Sequence, residues 1–177
     1  MTAVIKKMDL TNRARDMVSV GYISQIIELE TGLSYKQIRK IRNDLKLAGN
    51  ELAISNARTI RTGSALIHCH SSKLQASILM QLYVNIGSHS IYKSINIDAL
   101  YKAFLIYRSI LQELQYKTDA SWHLFDISDA WCLAKELRTN NAIIELCKSC
   151  HCNFYTSFNQ NKIISCPFCQ NNNSRYK

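Results

Sequence analysis

Four of the chain's seven cysteines fall in two short pairs, Cys147-Lys148-Ser149-Cys150 and Cys166-Pro167-Phe168-Cys169, with fifteen residues between them. Each Cys-x-x-Cys places two thiols on one tight turn, and two such turns facing each other form a tetrahedral tetrathiolate site of the kind that holds zinc. Sulfur takes all four positions, so water has no place on the metal and the one Zn2+ expected here is structural, not hydrolytic. In so small a module a structural zinc contributes on the order of 10 kcal/mol, much of the folding free energy. The spacer is long enough to run out and return as a hairpin. Asn153 to Phe158 alternates aromatic and polar residues, Asn159-Gln160-Asn161 supplies a turn, and Lys162 to Ser165 returns extended. His151 and Cys152 sit beside the first pair as rival ligands, Cys152 the more serious.

Other thiol chemistries compete with the metal. Disulfides need an oxidising compartment, and Lys6 and Lys7 are followed by Met8-Asp9-Leu10-Thr11, not by the apolar run of an export signal. The chain is therefore expected in the cytoplasm. A dithiol oxidoreductase would need Cys166 and Cys169 to open a helix within a larger sheet, and the residues after Cys169 are too few to build one. No nucleophile–base pair, phosphate-cradling glycine loop or pair of acids accompanies the cysteines, so an enzyme is not expected. His68 and His70 would point to different faces of a helix, which makes them ordinary core or surface histidines and not ligands.

The elements that must position these residues are helical. One proline and five glycines in 177 residues leave little loop-forming sequence, and 47% hydrophobic residues suffice for one main domain and a small metal module. Lysine and arginine (22) exceed aspartate and glutamate (13), a net charge of +9 that suits a phosphate-bearing partner. No stretch reaches the roughly 18 apolar residues of a membrane span.

Residues 1–15 read as a loose, mildly basic lead-in. From about Asp16 to Glu30 the spacing of Met17, Val20, Ile23 and Ile27 predicts a helix. Thr31-Gly32-Leu33 then makes a turn, and Ser34 with Gln37 forms a capping box that opens a second helix with an apolar seam of Ile38, Ile41 and Leu45. Gly49 ends it. A helix, a glycine turn and a capped basic helix over about residues 17–48 make a helix-turn-helix. Its second helix offers Tyr35, Lys36, Gln37, Arg39, Lys40, Arg42 and Lys46 to base edges and phosphates, where each good bidentate base contact discriminates by roughly 1–3 kcal/mol. The plain alternative is a solvated basic helix in a helical hairpin. Residues 50–65 form an irregular connector in which Arg58 and Arg61 can touch phosphate or simply face solvent.

Central helices follow over about 66–86, 97–114 and 128–138. The first buries a stripe of Ile78, Leu79, Leu82 and Ile86, and the second is capped by Asn96. Together they carry more apolar residues than a small monomer needs, which points to a protein partner. Ala142 to Leu146 enters the metal module as a strand. The expected architecture is mainly α, a helical domain over 1–141 followed by a four-cysteine, zinc-ribbon-like module over 142–177.

With these parts in place the chain resembles the FlhC family of transcriptional activators. The likeness rests on Thr31, Leu33 and Ser34 before the second helix, Ala76-Ser77, Asp98-Ala99 with Lys102-Ala103 and Tyr107, Ala130-Trp131 with Leu133, and Leu146. Both cysteine pairs and Asn153-Phe154 complete it. The resemblance implies a subunit that holds zinc through Cys147, Cys150, Cys166 and Cys169. It also implies assembly with an FlhD-like partner into a hetero-oligomer that binds promoter DNA and helps RNA polymerase start. The family's proline-rich connector is replaced here by Asn56 to Arg61, and its basic tail is reduced. Those departures favour the FlhC-like activators that switch on transfer genes of conjugative elements over a flagellar regulator. The competing function is a zinc-ribbon adaptor that docks a protein such as RNA polymerase without reading DNA.

Overall fold

The computed structural model describes residues 2–53, 58–118, 122–160 and 165–169. The chain divides into two compact units, Met1–Ile60 and Arg61–Lys177.

The first unit is built from three helices, α1 (Thr2–Val20), α2 (Ser24–Thr31) and α3 (Tyr35–Leu47). Where the sequence predicts a loose lead-in and one helix across Gly21, residues 2–20 are helical and the helix breaks at Gly21. That glycine has φ of 100°, a left-handed conformation that a side chain strains. Its N–H donates to Val18 O and the next to Met17 O, which closes α1. Ala14, Met17 and Val18 of α1 are buried with Ile26 and Ile27 of α2 and Ile38 and Ile41 of α3. The turn between α2 and α3 follows the predicted grammar. Gly32 adopts φ of 68° and donates to Glu28 O, Leu33 is buried, and the Ser34 N–H donates to Gln37 Oε1 at 2.9 Å. A short 3-10 turn, Glu51–Ala53, closes the unit.

The second unit holds α4 (Gly63–Leu66), α5 (His70–Gly87), α6 (Ile97–Thr118), α7 (Ile127–Arg138) and an antiparallel pair of strands, β1 (Ala142–Leu146) and β2 (Asn153–Ser157). The expected helix from Leu66 is interrupted at Ile67–Cys69, which separates α4 from α5. On α5 the buried face is Ala76, Leu79, Met80 and Tyr83, whereas Ile86 is exposed, so the predicted stripe is rotated partly outward. Asn96 caps α6 as expected, its Oδ1 accepting from Ala99 N. Asp126 caps α7, accepting from Ser128 N and Asp129 N. Leu100, Ala103, Tyr107 and Leu111 of α6 and Ala130, Trp131, Leu133 and Ala134 of α7 complete the core.

The strand pair falls within this unit. β2 lies on α5, where the Tyr155 N–H donates to Ser77 Oγ, and the Tyr155 hydroxyl donates to Glu136 Oε2 of α7. Glu136 Oε1 accepts from Gly63 N, so one buried carboxylate ties α4, α7 and β2 together. β1 pairs with β2 around the first cysteine pair, with Leu146 opposite Asn153, while Lys162 to Ile164 of the predicted return leg lie outside the described residues.

Candidate metal centre and nucleic-acid interface

The register of β1 and β2 holds the first cysteine pair in the turn at their end. The Cys147 N–H donates to Cys152 O and the His151 N–H to Cys147 O, with His151 at φ of 56° to let the chain double back. Cys147 and Cys150 are thereby turned toward Cys166 and Cys169. Cys147 Sγ lies 3.5 Å from Cys169 Sγ and Cys150 Sγ lies 3.6 Å from Cys166 Sγ. All four sulfurs fall within 4.8 Å of one another. Tetrahedral coordination with metal–sulfur bonds of about 2.3 Å sets sulfur–sulfur edges of about 3.8 Å, so the cluster needs only small adjustments to close on an ion. Phe154 packs against the cysteines from β2 and shields them from one side.

Among the described residues this is the one cluster of His, Cys, Asp or Glu fit to hold a metal ion. Cys152 is not part of it. Its side chain is exposed and its Sγ approaches the Cys150 carbonyl instead. His68 and His70 are exposed and bring no third ligand with them.

The local electrostatics divide the cluster, favouring a thiolate at Cys147 and disfavouring one at Cys169. Backbone N–H groups of Cys150 and Ser149 bring the Cys147 thiol down to about 6. Cys169, beside that thiolate, is pushed up to about 12. A buried cation stands next to the cluster. Lys73 of α5 is 1% exposed, and its Nζ lies 5.0 Å from the centre of the Phe154 ring. Burial lowers its pKa, and the charges of Glu145 and Cys166 act in the opposite sense. Sequence reasoning missed Lys73. The available signal is its place on an otherwise buried face of α5, four residues before Ser77.

The basic helix α3 sorts its side chains into two stripes. Lys36, Lys40 and Asn43 recur at spacings of four and three and are exposed. Tyr35, Arg39, Arg42 and Lys46 form the neighbouring stripe. Tyr35, Arg39 and Lys46 are exposed, and with Ser24, Arg42 and Asn43 they line a recess of about 260 Å³. Gln37 is engaged at the helix start, where its Oε1 accepts from both the Ser34 N–H and the Ser34 hydroxyl.

Arg42 departs from the predicted set of contact residues. It is 7% exposed, and its terminal nitrogens donate to Ala53 O at 3.0 Å, Tyr22 O at 3.0 Å and Ser24 Oγ at 3.2 Å. It therefore fastens the α1–α2 turn and the 51–53 turn to α3, and it is not free to reach a base. Burial draws its pKa below the usual guanidinium value, with Tyr35 acting in the opposite sense. Arg61 of the connector pairs with the buried Asp129 at 3.6 Å.

Compared with known families, the whole chain, residues 1–177, matches the model described as Flagellar transcriptional activator (FlhC). The chain belongs to the FlhC family. This is a family of transcriptional regulators and not of enzymes. No individual curated protein matches the chain. As an FlhC-family member it combines a mostly helical fold with a C-terminal cluster of four close cysteines. Among its described residues no helix is long and apolar enough to cross a membrane.

Proposed function

We propose that the chain is a DNA-binding subunit of a transcriptional activator, with α2 and α3 acting as the helix-turn-helix. The observation that carries this reading is the exposed basic surface of α3, on which Lys36, Arg39, Lys40 and Lys46 stand clear of the core behind a capped glycine turn. Lys36 and Lys40, with Tyr35 and Gln37 at the first turn, face a groove, while Arg39 and Lys46 neutralise phosphates. Cys147, Cys150, Cys166 and Cys169 hold one structural Zn2+, which sets the end of the β1–β2 turn and performs no chemistry.

The chain acts in the cytoplasm with an FlhD-like partner and brings RNA polymerase to the promoter. Support for a protein partner comes from α6, which exposes Tyr101, Leu105, Ile106 and Ile110 as two i,i+4 pairs. Whether the promoters serve transfer or flagellar genes turns on the connector and tail. The replaced connector favours transfer genes, whereas the matched family is described as flagellar.

Changing Arg39 and Lys40 to Ala tests the reading directly. Loss of DNA retention with the partner complex intact supports it. Unchanged DNA retention contradicts it. A wild-type chain that binds its partner but no DNA would instead favour the zinc-ribbon adaptor.

A further inference from the structure

The recess beside α3 gathers three cations, Arg39, Arg42 and Lys46. Arg42 forms its floor, and both of its terminal nitrogens are spent on neutral oxygens. Its Nε–H is buried with no hydrogen-bond partner. Arg39 and Lys46, on the same stripe, add two more cations, and among the described residues no carboxylate lines the recess. Burying a cation among neutral groups is costly, and like charges on one helix face repel. Both costs fall when an anion sits among them.

The remaining lining identifies the anion's class. Tyr35, Ser24 and Asn43 contribute a phenol, a hydroxyl and an amide, all able to donate to oxygen. The volume of about 260 Å³ falls below the roughly 300–1,000 Å³ of sites that enclose drug-sized ligands. Arginine and lysine converging on a small polar recess match the oxygens of a phosphate.

We propose that this recess binds a phosphate group, seated between Arg39 and Lys46 over the fixed charge of Arg42. The phosphate is either a phosphodiester of the DNA backbone or a free phosphorylated solute. The first source rests on the DNA-binding reading above; the anion site itself does not.

The test titrates inorganic phosphate into the metal-loaded full chain, with chloride holding the ionic strength constant. Arginine side-chain NMR follows the Nε–H resonances of Arg39 and Arg42. Saturating shifts are expected in the wild type and at least tenfold weaker binding in R39Q/K46Q, a rim variant whose unfolding midpoint is expected to be unchanged. A duplex that releases the bound phosphate assigns the site to the DNA backbone. Phosphate that stays bound while the duplex is retained assigns it to a free solute. Phosphate binding without any DNA retention upholds the recess and sinks only the DNA reading. Shifts no larger than those from chloride, or equal in R39Q/K46Q, overturn the proposal.

Discussion

The Tyr155 backbone N–H donates to the Ser77 hydroxyl at 3.1 Å, a bond spanning 78 positions of sequence. Ser77 in turn donates to Lys73 O at 2.7 Å, and both residues are fully buried. The strand that supports the cysteine cluster is thereby held to α5 by one hydroxyl. Ser77→Ala leaves the Tyr155 N–H buried and unpaired, a cost of about 1–3 kcal/mol. Urea unfolding of the metal-loaded chain is expected to show that loss, together with faster metal release to a chelator. An unchanged midpoint would mean that β2 is held by packing alone.

Cys147, Cys150, Cys166 and Cys169 cluster, and Cys152 stands outside them. Cys166→Ser is expected to abolish stoichiometric metal and to unravel the β1–β2 turn. Cys152→Ser is expected to leave one zinc per chain, because the Cys152 side chain is exposed and lies outside the cluster. Metal analysis of the purified variants checks both. Full loss of metal in Cys152→Ser would exchange its role with one of the four.

Lys73 supplies a buried positive charge beside a site that carries two net negative charges when four thiolates hold a divalent ion. Replacement by Met keeps the apolar stem and removes the charge. Metal affinity, measured by chelator competition, is expected to fall roughly 10–100-fold. Unaltered affinity would show that solvent and the turn's N–H groups neutralise the site without it.

Within α3 stability and binding part company. Arg42→Ala strips buried partners from Ala53 O and Tyr22 O, and is expected to cost about 2–4 kcal/mol of unfolding free energy. Lys40→Ala changes an exposed side chain, so it is expected to leave stability within about 0.5 kcal/mol while weakening DNA binding. Thermal unfolding and a binding titration of the two variants separate the effects. The reverse pattern would contradict the assignment.

Much of this was legible in the residues. The turn grammar of Gly32 and Ser34, the cap at Asn96 and the four cysteines each follow from local chemistry that tertiary packing does not override. α1 was harder, because among its described side chains only Ala14, Met17 and Val18 are buried and its polar face carries no strong helical period. Its stability comes from packing against α2 and α3. Arg42 was hidden by its charge, although it lies four residues after Ile38 and three before Leu45, inside the apolar seam. The hairpin around the first cysteine pair was missed because the alternating run 153–158 has two possible partners in sequence, and β1 pairs with it. Glu136 gave no signal at all, since its partners Gly63 and Tyr155 are distant in the chain.

We propose that this chain binds promoter DNA through α3 as part of a partner complex. The decisive measurement is DNA retention of the zinc-loaded chain, with and without a co-expressed FlhD-like partner, across a salt series. Specific retention that appears with the partner and falls on a log–log plot with a slope of about −0.9 per phosphate contacted, shallower by about 1 in Lys46→Gln, is the predicted result. A complex that forms fully and retains no DNA at any salt would contradict it.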